Sequence, residues 1–85
     1  MKIKEAALRE IQRMEKVFSN IEIVEDTRLL NLAKSYFADA KYFYEKGDFL
    51  NAFEAIVISW AYVDALLHFG KVKVSEELKK FFTIS

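Results

Sequence analysis

Lys46-Gly47-Asp48-Phe49 stands between two long amphipathic patterns and turns the chain back on itself. Gly47 can adopt the left-handed conformation that stops a helix, and Asp48 can accept the first backbone N–H groups of the next one. Two helices joined so tightly must lie antiparallel, as the arms of a helical hairpin. Only one other glycine, Gly70, and no proline occur in the 85 residues, so little else interrupts helical structure.

Working backwards from the corner, Leu29, Leu30, Leu32, Ala33, Tyr36, Phe37, Ala40, Phe43 and Tyr44 share one sector of a wheel at about 100° per residue. Asn31, Lys34, Ser35, Lys41, Tyr42, Glu45 and Lys46 fill the other. The acidic residues Glu22, Glu25 and Asp26 suit the start of this helix, predicted over residues 25–46. Further back, Ile3, Ala7, Ile11, Met14 and Phe18 form the apolar face of a helix over residues 2–18, ended by Ser19-Asn20.

Working forwards, residues 48–69 form a helix with Phe49, Ala52, Phe53, Ile56, Trp60, Val63 and Leu67 as its core stripe. Its far side carries Ile58, Tyr62, Ala65, Leu66 and Phe69. A helix that is apolar nearly all round is buried nearly all round, by its own chain or by a partner. Gly70 ends it, Lys71-Val72-Lys73-Val74 is a connector, and Ser75 is expected to cap a short helix over residues 75–82. Phe81 and Phe82 are expected to fold back over Leu66 and Phe69. The fold class is therefore all-α, a three-helix up-and-down bundle with a short C-terminal helical segment, in a single domain of residues 1–85.

Composition narrows the function. The thirteen basic residues balance thirteen acidic ones, without the basic excess or groove that nucleic-acid binding needs. The uncharged run Ala55–Val63 falls short of the roughly 20 residues of a membrane span, and the N-terminus is charged and amphipathic. No nucleic acid, membrane or cofactor is expected, and a cytoplasmic location is. Without cysteine, thiolate metal sites and cysteine nucleophiles are excluded. Many charges of both signs, no cysteine and a single Gln suit a thermophile.

Four polar residues are candidate ligand contacts or structural anchors: Glu10, Asp39, Asp64 and His68. Glu10 falls inside the apolar stripe of the first helix, at the expected height of Lys34–Tyr36 and Ala61–Asp64. A buried carboxyl there could act as a general acid, or simply bond a tyrosine or lysine, or reach solvent. Asp39 and Asp64 stand about eight residues apart along the hairpin axis, roughly 12 Å, too far for a catalytic carboxylate pair. Asp64 and His68 are four residues apart and can pair on one helix face, yet no serine or cysteine is placed as a nucleophile. One histidine with scattered carboxylates makes a poor metal site, so neither a metal nor a catalytic set is expected.

The string Tyr36-Phe37-Ala38-Asp39-Ala40-Lys41-Tyr42-Phe43-Tyr44-Glu45-Lys46-Gly47-Asp48-Phe49, followed by Ala52-Phe53-Glu54-Ala55-Ile56 and Ala61-Tyr62-Val63-Asp64-Ala65, resembles the short archaeal proteins grouped as domain of unknown function 357. The resemblance covers residues 29–69. It implies a three-helix up-and-down bundle and singles out Asp39, Gly47, Asp48 and Asp64, but supplies no activity. The corner also resembles one tetratricopeptide-type hairpin, although a solenoid needs about three such repeats.

Two functions remain. The leading one is a non-enzymatic protein-interaction module that self-associates through Ile58, Tyr62, Ala65 and Phe69. The alternative is a small-ligand-binding or regulatory domain, with a cleft lined by Glu10, Asp39 or Asp64 and at least one of Tyr36, Tyr42 and Tyr62.

Overall fold

The computed structural model describes residues 2–83. Three long helices dominate: α1 (Ile3–Asn20), α2 (Arg28–Glu45) and α3 (Phe49–His68). A two-residue strand β1 (Glu22–Ile23) lies between α1 and α2, and α3 is followed by β2 (Val72–Lys73) and the single-turn helix α4 (Glu76–Lys79). The bundle is mostly helical, as expected, and runs up, down and up.

The hairpin corner forms as its residues dictate. Gly47 takes φ +80°. Its N–H donates to Tyr44 O at 3.0 Å and the Asp48 N–H donates to Phe43 O at 2.9 Å, which satisfies the last carbonyls of α2. Asp48 Oδ1 accepts from Asn51 N at 3.3 Å to open α3. Gly70, φ +69°, repeats the same pattern at the end of α3, with bonds to Leu67 O and from Lys71 N to Leu66 O. Across the corner, Tyr36 meets Tyr62 with ring centroids 5.8 Å apart, and the Ser59 hydroxyl donates to Ala33 O at 2.7 Å. Ala33, Ala40, Ala52 and Ala55 line this α2–α3 seam, and their small side chains let the two helices approach closely.

Helix α2 starts later than residue 25. Thr27 caps it, its Oγ1 accepting from Leu30 N at 3.1 Å, and Glu22, Glu25 and Asp26 all lie before it. Those residues belong to a connector paired with the segment after α3. Glu22 stands opposite Lys73 and Ile23 opposite Val72, antiparallel, while Val24 N and Glu25 N both donate to Lys71 O. An ion pair between Lys71 and Glu25 closes the strap. This extended connector shifts α1 along α2, so Phe18 meets Phe37 at 4.9 Å between centroids and Glu15 approaches Lys41.

The core is built from Ala7, Ile11, Met14 and Val17 of α1, Leu30, Ala33 and Ala40 of α2, and Ile56, Val63, Leu66 and Leu67 of α3. Leu32, expected in the core, is exposed on α2. The C-terminal helix is shorter than predicted, and the Ser75 side chain makes no capping bond; its carbonyl accepts from Leu78 and Lys79 instead. The chain does fold back there, with Phe82 buried, but onto Trp60 and not Phe69. The two rings stack at 5.7 Å and 8°, and Trp60 Nε1 donates to Phe81 O at 2.7 Å.

Candidate functional site

Helix α3 is 20 residues long and, by length and composition, apolar enough to cross a bilayer, yet only 39% of its apolar window is buried here. α2 and α1 cover its inner half. Its outer half presents Leu50, Glu54, Val57 and Ala61 at steps of three or four residues, with Ile58 beside Val57 and His68 two turns beyond Ala61, all exposed. Leu50 is 62% exposed, Val57 40% and Ile58 37%. Of the predicted strip, Ile58 and Phe69 are exposed, Ala65 is half-buried, and Tyr62 is partly covered by Tyr36. The exposed stripe thus runs about one residue-width round the helix from where the wheel placed it, towards Leu50, Val57 and Ala61. Phe69, 72% exposed, stands at its C-terminal end.

Two shallow depressions lie along the stripe, the second on its α1 side. One of about 240 Å³ lies among Phe53, Glu54, Val57 and Ile58. The other, about 200 Å³, is lined by Glu10, Phe53, Ile56, Val57 and Trp60. Glu10 is therefore level with Phe53–Trp60, below its expected height, because the α1–α2 connector is longer than a tight turn. Its carboxylate is partly exposed and held by Arg9 at 3.2 Å and Arg13 at 3.1 Å, not by a tyrosine or lysine. Arg13 also covers the Phe81 ring, 5.3 Å from its centroid.

At the far end of α3, Asp64 and His68 converge on Thr83. The Asp64 carboxylate accepts from Thr83 N at 3.0 Å and from its hydroxyl at 2.8 Å, and His68 Nε2 lies 2.6 Å from that hydroxyl. A hydroxyl has a single proton to donate. With the carboxylate as its acceptor, His68 Nε2–H donates to the hydroxyl, making a relay from His68 through Thr83 to Asp64. His68 Nε2 is also 3.9 Å from Asp64 Oδ1, the expected i,i+4 approach. This cluster clasps the C-terminal segment to α3.

Asp39 is exposed on α2 and joins none of these clusters. A third cleft, about 570 Å³, lies at the strap end among Asn20, Glu22, Val72, Lys73, Ser75 and Lys79. None of these three clefts combines an acid with a tyrosine. Among the described residues no three His, Asp or Glu side chains gather as metal ligands would.

Comparison with known proteins bears on the same hairpin. The family model of a protein of unknown function, DUF357, matches residues 1–72. The chain belongs to the DUF357 family. A crystal structure of a DUF357 protein from Archaeoglobus fulgidus superposes with a TM-score of 0.77 at 31% identity, over 87% of this chain and 95% of that one. No curated protein matches. The DUF357 match contains α1, the strap's first strand, the Gly47–Asp48 corner and all of α3. It stops before α4, so Trp60 and Asp64 lie inside the match while Phe81, Phe82 and Thr83, which they hold, lie outside it.

Proposed function

We propose that this DUF357 protein is a helical protein-interaction module of the cytoplasm that self-associates through the outer face of α3. The supporting observation is the stripe of Leu50, Val57, Ile58 and Ala61 left exposed on the most apolar helix of the chain. Contiguous exposed apolar surface of this kind favours association, because covering it removes it from water. Glu54 and His68 within the stripe, and buried Ser59 behind it, suit a protein partner better than lipid.

A dilution series followed by amide chemical shifts tests the reading. Resonances of Leu50, Glu54, Val57, Ile58 and Ala61 are expected to move together with concentration, while those around Asn20 and Lys73 stay fixed. Concentration-independent shifts on α3, or movement confined to the strap-end cleft, would contradict it and favour the small-ligand alternative.

A further inference from the structure

Resting on the reading just given, we propose that the occupant of the α3 stripe is a second copy of this chain, its α3 antiparallel about a twofold axis at Ala61, so that Glu54 of each copy meets His68 of the other. The register follows from the spacing of the stripe. Glu54 lies seven residues before Ala61 and His68 seven after it. Seven residues are close to two helical turns, so all three stand on nearly the same line, with Glu54 and His68 each about 10 Å from Ala61. A twofold axis at Ala61 reverses the helix and superimposes one position on the other.

Charge selects this arrangement over its alternatives. Between Leu50 and Ala61 the stripe carries one ionisable side chain, Glu54, and beyond Ala61 it carries His68; Asp64, at the edge, is already engaged by Thr83. Parallel helices would set Glu54 against Glu54. The antiparallel pair sets a carboxylate against an imidazole on both sides of the axis, the complementary choice. His68 can serve as the imidazolium, in which Nε2–H donates to Thr83 and Nδ1–H is free to donate to the carboxylate.

Size selects the axis. Ala61 is the smallest side chain in the middle of the stripe, flanked by Val57 and Ile58 on one side and Ala65 on the other. Small residues at a crossing let helix axes approach to about 8 Å, the lower end of the usual range. Off the axis, Val57 of one copy then lies level with Ala65 of the other.

Cysteine cross-linking tests the register directly, because the natural chain contains no cysteine. A residue on a twofold axis meets itself, within the span a disulfide needs. Ala61→Cys is expected to form a disulfide-linked dimer in dilute oxidised glutathione at least tenfold faster than Leu50→Cys, which lies about 16 Å from the axis. Circular dichroism of the reduced variants checks that both fold. In the full chain, Glu54→Lys or His68→Glu alone should weaken the dimer tenfold or more, and the two together should restore it. A dimer in which Leu50→Cys links as fast as Ala61→Cys, or in which the charge exchange fails to rescue, overturns the antiparallel register but leaves α3 as the associating face. A chain that stays monomeric at all concentrations overturns both.

Discussion

Gly47 and Gly70 sit in open space, where an added Cβ would meet nothing within 4 Å. Their requirement is the backbone alone, since an L-residue at positive φ costs about 1–2 kcal/mol. Gly47→Ala should therefore lower the thermal midpoint by roughly 5–10 °C without changing the helical content, measured by circular dichroism. Ser59 carries a different demand, because it is fully buried and its hydroxyl bonds Ala33 O across the helix seam. Ser59→Ala should cost about 1 kcal/mol in urea denaturation, the worth of one hydrogen bond. Ser59→Leu should cost more, about 1–3 kcal/mol, by forcing α2 and α3 apart. The glycines and Asp48 were legible in the sequence because capping is local: the residues that need each other are within five positions. Ser59 and Glu10 were not. Their partners, Ala33 and the pair Arg9 and Arg13, depend on which face each helix turns to its neighbours and on how far charged side chains reach.

The elements follow the same division between local and distant causes. The three long helices are written in periodic apolar positions, and their boundaries fall within three residues of the expected ones. The strap of β1 and β2 is two residues per strand, too short for alternation to register. Its formation moves the start of α2 to Arg28, behind its Thr27 cap, and slides α1 along the hairpin, which is why Glu10 sits below the level of Ala61–Asp64. The C-terminal segment was legible in its apolar payload but not in its landing place. Phe82 is expected to anchor it: Phe82→Ala should destabilise the fold by about 3 kcal/mol, with a change in the fluorescence of Trp60, the single tryptophan of the chain. An unaltered midpoint and emission would mean that the segment adds nothing to the core. The family match ends at residue 72, before this anchor.

For the whole molecule, the outer face of α3 carries the proposed association. Two neighbouring helices can cover only about half the circumference of a third, and α3 is apolar over more than that half. The sequence carried the surplus, in Ile58, Ala65 and Phe69 opposite the core stripe. It could not say which part of the surplus its own chain would hide. Folding hides part of Tyr62 and leaves Leu50, Val57 and Ala61, so the side facing outward is set by how α1 and α2 divide the rest of the helix between them. A charge placed there should leave the monomer intact and remove the association, since Val57 contributes little to the internal core. The most direct measurement is the solution mass by light scattering, across a concentration series, for the natural chain and for Val57→Asp. A mass rising towards twice that of the chain in the first, and a helical monomer throughout in the second, is the predicted result. A natural chain that remains monomeric at the highest concentration, or a Val57→Asp variant that associates as well as its parent, would contradict it.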